Sequence, residues 1–246
     1  MVGRSPHYFL LEVVPVVGYS CAILPRQYAN GSIDFNGEDL AGMQLTFADL
    51  VGIRLRGADL HSADLAGADL RGANLRETNL REVDLSLADL GHANLSGANL
   101  EHANLTGVNL SFARLWGASM RGVILVASDL EAANLSGANL WMANLQGVNL
   151  AHAHLEEASF ANANLSGADL SAANLTRAEL SDANLVDANL TGACLNEANA
   201  IAADLRGANL LDTTMDRVVG LGAIYDYRTH FPAGFDPNEA GMIQID

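Results

Sequence analysis

The sequence predicts an all-β solenoid whose backbone turns once every five residues, and three regularities carry that prediction. From Phe35 to Met215 every fifth residue belongs to one series of 37 positions, of which 32 are Leu and the rest Phe35, Met120, Phe160, Ala200 and Met215. Two residues before each centre, Ala fills 26 of the 37 positions; one residue before, Asp or Asn fills 27. Two residues after the centre Gly is the commonest choice, as at Gly57, Gly67, Gly97 and Gly137. The register never slips by a residue across this span.

A period of five excludes the ordinary elements. On an α-helix five residues advance the side chain by about 140°, so the leucines would face every direction. On a flat strand the side-chain period is two, so successive leucines would alternate between faces. They reach one shared interior only if the chain bends at each pentapeptide. Gly and Asx residues suit such bends, because they tolerate unusual backbone angles and offer local hydrogen bonds.

The units Ala-Asp-Leu-Ala-Gly at 63–67, Ala-Asn-Leu-Ser-Gly at 93–97 and 133–137, and Ala-Asn-Leu-Thr-Gly at 103–107 resemble the pentapeptide-repeat family, over about three quarters of the chain. The resemblance implies a right-handed quadrilateral parallel β-helix with four pentapeptides per coil, the central Leu and the Ala before it pointing inward. On that closure the repeats make about nine coils, a rod of roughly 43 Å at the ~4.8 Å spacing of neighbouring strands. Residues 20 apart then stack.

An open β-helix end exposes unpaired backbone and core, so both ends call for covers. Residues 1–30 are expected to form an N-terminal cap, part helical, residues 31–215 the β-helix, and residues 216–246 a C-terminal cap or tail. The tail run Thr229-His230-Phe231-Pro232-Ala233-Gly234-Phe235-Asp236-Pro237 resembles one that follows the repeats in cyanobacterial members. Its aromatics serve either as core plugs or as a homodimer contact.

Composition narrows the function. The formal charge is -16, from 29 acidic residues against 13 basic ones, all Arg. That balance argues against direct nucleic-acid binding, where a basic face supplies most of the affinity. No apolar run reaches the ~20 residues of a membrane span; the stretch 8–24 is broken by Glu12 and Pro15. The cytoplasm is the expected compartment, with export the alternative if residues 1–29 act as a signal. Cys21 and Cys194 form neither a disulfide framework nor a metal set.

No catalytic, cofactor or metal site is expected. His92 and His152 share a column but lie three coils apart, roughly 14 Å, far beyond the ~2 Å reach of common zinc ligands. His152 and His154 lack a third ligand. The abundant carboxylates belong to the repeat, and a filled rod offers no cleft to split the pKa values of a pair.

Two surface features remain. An acidic face stacks Asp49, Asp69 and Asp89, then Asp129 and Asp169, with Asp64 and Asp84 on the neighbouring face. Arg54, Arg56, Arg76 and Arg114 gather on another side. The second feature is a set of large outward residues in the middle coils: Phe112, Trp116, Ile124, Val126, Trp141 and Met142. Arg121 shares a column with Glu101 and Trp141, which allows an ion pair and a cation–π stack. Trp is a frequent interface anchor, so Phe112, Trp116, Arg121, Ile124, Trp141 and Met142 are the candidate partner-binding residues.

The expected function is a non-catalytic protein-interaction scaffold or regulatory binding module. The alternative, implied by the resemblance, is a duplex-DNA mimic that binds or inhibits DNA gyrase, a type II topoisomerase. Residues 34–215 carry 23 acidic side chains and 9 Arg. Their net charge gives about one charge per 3 Å of rod, sparser than the ~1.7 Å of duplex DNA. Members that protect gyrase from quinolones interrupt their repeats with loops; this register is unbroken.

Overall fold

The computed structural model describes residues 33–246. The N-terminal cap expected at 1–30 lies outside the described residues.

Each pentapeptide contributes one parallel bridge residue, the one before its centre. Its partner lies 20 residues along: Asp49 pairs with Asp69, Asp69 with Asp89, and Asp89 with Asn109. Four pentapeptides therefore complete one coil, a closure that period five alone leaves open. The four faces are numbered here by their central residues: face I by Leu100, Met120 and Leu140; face II by Leu105, Leu125 and Leu145; face III by Leu90, Leu110 and Leu130; face IV by Leu75, Leu95 and Leu115.

One unit shows why this sequence winds as it does. In 63–67 the Ala63 N–H closes the preceding turn onto the Leu60 carbonyl at 3.0 Å, and the Asp64 N–H reaches back one coil to Met43 O at 2.8 Å. The Leu65 and Gly67 N–H groups reach forward to Asp84 O and Ser86 O, at 2.7 and 2.8 Å. That leaves the Ala66 N–H, which donates to Asp64 Oδ1 at 3.1 Å. The preference for Asp or Asn before the centre thus has a cause: its side chain accepts the one amide the coils do not take.

The corner lies two residues after the centre, where φ is positive at every unit from Gly37 (72°) to Gly222 (71°). Only this residue of the four-residue turn is left-handed, the signature of a type II turn. Ala, Ser, Asn, Asp, Glu, His, Arg, Phe, Leu and Met stand in for Gly at φ between 53° and 61°. No Val, Ile or Thr does, because branching at Cβ makes this conformation a genuine outlier, and no Pro does, because its ring holds φ near about −65°.

The interior is a single column of side chains. Central residues from Phe35 to Leu210 are at most 3 % exposed, and the inward Ala positions are equally buried. Burying a leucine contributes about 1.5–3 kcal/mol, repeated coil after coil. Where a hydroxyl replaces the inward Ala it is satisfied: Thr78 Oγ1 donates to Leu55 O at 2.8 Å, and Ser128 Oγ to Leu105 O at 2.7 Å.

Bridged pairing continues past Met215, through Asn199–Val219, Asp204–Ile224 and Asn209–His230. The boundary expected at 215 therefore falls inside the stack. The last of these pairs spans 21 residues, not 20, so the coil carries an extra residue here. Asp226 absorbs it: its Oδ1 accepts the Gly207 N–H at 2.9 Å, in place of a carbonyl of the next coil. Strand β1 (Ile224–Tyr225) then pairs in parallel with β2 (Ile243–Gln244). Met242 is buried and packs on Gly220, where an added Cβ would lie 2.5 Å from its Cε. Phe231 and Phe235 pack against the core, the first edge-on to Tyr225 at 5.2 Å, the second stacked on the first at 5.4 Å.

Candidate functional site

Chain geometry divides the six candidate partner-binding residues between two corners. Met142 is the corner residue between faces I and II, in one column with His102 and Gly122. Trp141 and Arg121 precede it on face I, and Ile124 follows on face II. Phe112 sits at the corner between faces III and IV, and Trp116 on face IV. In a four-sided coil these corners are diagonally opposed, so the six form two surfaces.

At the first corner the Arg121 guanidinium lies 4.9 Å from the centre of the Trp141 ring. The ion pair allowed between Arg121 and Glu101 is not formed. Glu101 turns to the other neighbour in its column, Arg81, at 2.8 Å, and accepts Ser119 Oγ at 3.0 Å. Arg81 supplies both charge and hydrogen bond, and Arg121 is left to the indole. Met142 is 54 % and Ile124 41 % exposed, while Trp141 is half-buried beneath its cation. A shallow groove runs between Glu101, His102, Arg121, Gly122, Trp141 and Met142. Its floor depends on Gly122: a Cβ there would lie 2.7 Å from His102 Nδ1.

The acidic columns are tied into the scaffold. Arg71 pairs with Asp69 at 2.5 Å and approaches Asp89 at 3.8 Å. Its hydrogen bond, above all, holds the Asp69 carboxyl below the usual range. Farther along face III the carboxylates alternate with amides: Asn109 donates to Asp89 at 2.9 Å, Asn149 to Asp129 at 2.9 Å, and Asn189 to Asp169 at 3.0 Å. On face II, Asp64 and Asp84 are bridged neighbours, and Asn104 donates to Asp84 at 3.1 Å. Each carboxylate named also accepts a backbone N–H two residues on.

Among the described residues no three His, Cys, Asp or Glu side chains gather to hold a metal ion. Cys194 is a free thiol on face IV, 3.2 Å from Thr176 Oγ1; burial pushes its pKa up, but hydrogen bonds with Thr176 and Thr214 outweigh that and bring it down. Cys21 lies outside the described residues. His154 Nδ1 is 3.7 Å from Glu156. No helix among the described residues is long and apolar enough to cross a membrane.

A bridged solenoid with inward Leu and Ala and Asx-closed corners defines a structural repeat protein. The family model described as pentapeptide repeats matches eight copies across residues 39–76, 63–101, 103–141, 143–182 and 183–219. The chain belongs to the pentapeptide repeat family. Among solved structures it is similar to HetL, a pentapeptide repeat protein involved in heterocyst differentiation regulation from the cyanobacterium Nostoc sp. strain PCC 7120. The identity is 33%, over 84% of this chain and 92% of that one, with a TM-score of 0.48. QnrB1, a plasmid-mediated fluoroquinolone resistance protein, is 18% identical over 87% and 91% of the two chains, TM-score 0.35. A pentapeptide repeat protein from the Arabidopsis thaliana thylakoid lumen is 25% identical over 52% and 73%, TM-score 0.31. No curated protein matches.

Proposed function

We propose that this chain is a non-catalytic interaction scaffold, a rod of about nine coils that works in the cytoplasm and binds a protein partner at the corner between faces I and II. The observation that carries this reading is the placing of Trp141 and exposed Met142 along a groove floored by Gly122, with Ile124 exposed on the adjoining face II. A large apolar side chain at a left-handed corner, as at Met142 (φ 56°), adds local strain and exposes apolar surface. Both costs are offset if a partner covers it. Regulation, in which HetL is involved, is compatible with such a module.

The test is affinity purification from the source organism with wild type and with Trp141→Ala/Met142→Ala. The partner is expected to be recovered with wild type and lost with the double variant. Identical recovery from both would remove this corner from the reading.

Mimicry of duplex DNA is the weaker reading, because Arg71 and the Asn amides engage the carboxylates that would stand in for phosphates. Purified protein at low salt is expected not to inhibit gyrase supercoiling. Homodimerisation through the tail also has a narrower basis. Phe231 and Phe235 pack inward, leaving Tyr227, 82 % exposed, as the tail aromatic available to a second copy.

A further inference from the structure

Across the diagonally opposite corner the charge of the chain reverses. In the coil segments 51–57, 71–77, 91–97 and 111–117, which cross from face III to face IV, Arg54, Arg56, Arg71, Arg76 and Arg114 stand against one acid, Glu77. All five arginines are exposed, in a chain of formal charge -16. Phe112 and Trp116 lie on the same strip, 52 % and 63 % exposed, and His92 stacks on Phe112 at 5.1 Å. Arg114, between the two aromatics, has no carboxylate partner among the described residues. The corners are open as well: a Cβ built at Gly52, Gly57, Gly72 or Gly117 would meet nothing within 4 Å.

The other arginines are held by surface pairs: Arg54 with Asp34 at 3.6 Å, Arg56 and Arg76 with Glu77 at 3.2 and 3.8 Å, and Arg71 with Asp69. The pairs of Arg54, Arg56 and Arg76 are exposed on both sides and contribute little, so an incoming carboxylate displaces them. The aromatics supply the desolvated anchors that charge alone lacks.

We propose that this strip is a second binding site, which takes an acidic segment of a protein partner, extended along the rod axis, with an apolar side chain between its carboxylates. Arg76 and Arg114 lie two coils apart, about 10 Å along the axis, and two positions apart across face IV, a span that an extended chain covers in about four residues. Acidic residues four apart point to the same side of such a chain and meet both arginines, and the apolar side chain midway between them points the same way, toward Trp116 and Phe112 on the coil of Arg114. A nucleic acid fits less well. Its affinity comes from many phosphates engaged at once, and the strip carries five arginines.

The test uses the full chain and a fluorescein-labelled peptide of four Glu-Ser-Phe-Ser units, read by anisotropy at low salt. A Gln-Ser-Phe-Ser peptide, an oligo-dT and phosphatidylserine vesicles serve as comparison probes. Saturable binding of the Glu peptide alone is expected. Arg76→Gln/Arg114→Gln and Trp116→Ala should each weaken it at least about fivefold. Arg206→Gln, whose residue pairs with Asp204 on face II, should leave it unchanged, as should Trp141→Ala, which separates this site from the groove. No saturable binding, equal loss with Arg206→Gln, or equally tight binding of the Gln peptide, oligo-dT or vesicles would each overturn the proposal. The wild-type comparison of Glu and Gln peptides decides even if a variant misfolds.

Discussion

Asn109 shows how much one side chain at the bridge position carries. Its Oδ1 accepts the Ser111 N–H at 3.0 Å while its Nδ2 donates to Asp89 at 2.9 Å, one coil back. Asn109→Ala removes both, and a loss of about 2 kcal/mol is expected in denaturant unfolding, since one of the bonds meets a charged group. Gly122→Val should cost about as much or more: φ there is +62°, and the new side chain would enter the space of His102. Thermal unfolding of this variant beside wild type checks it. The inward positions were legible from the sequence because burial imposes the strict period. Glu101 was not. Arg81 and Arg121 are equally spaced from it along the column, and its choice of Arg81 depends on a side-chain geometry that spacing does not encode.

At the scale of the element, the last coils depend on Asp226. Burial acts to raise its pKa, but the Gly207 N–H and the Arg228 side chain and N–H outweigh that and bring it down to about 2, from an ordinary 3.8. A carboxyl depressed in the folded state stabilises above its unfolded pKa and loses that contribution as pH falls through its folded one. Local stability of this segment should therefore hold above pH 4 and fade between pH 4 and 2. Hydrogen exchange at the Gly207 amide would report it. Asp226→Ala should speed that exchange at neutral pH and expose the tail to protease, while the middle coils keep their protection. We propose that residues 216–246 close this end of the rod. The sequence hid the continuation because the central series passes from Met215 to Gly220 and Tyr225, neither resembling a repeat leucine. The signal was present in Ala223, two before Tyr225, and in the corner Gly222, whose φ is 71°.

For the whole molecule, the coil length of 20 residues and the core period of five make separate demands. Deleting residues 161–180 removes one whole coil and keeps every outer column aligned. Deleting 161–165 removes one side of a coil. Both chains retain a continuous leucine interior, and each unit contacts only its neighbours, so both are expected to fold with a β-rich circular dichroism spectrum. They should differ in stability. The shorter deletion throws the downstream columns out of line and breaks the pairs that cross it, such as Asn174–Glu156 and Arg177–Glu157, and should melt lower than the loss of a whole coil does. If it melts higher, the outer ladders contribute little. The same arithmetic made the division of the six surface candidates readable in advance, since positions modulo 20 assign each to its face once four units per coil are granted.

That mismatch has an evolutionary consequence. A duplicated or lost pentapeptide leaves the hydrophobic interior intact but rotates everything downstream by a quarter turn. Surfaces can thus be brought into or out of alignment by a single small genetic event. A lineage of such chains could rearrange what it presents to the outside much faster than what it conceals.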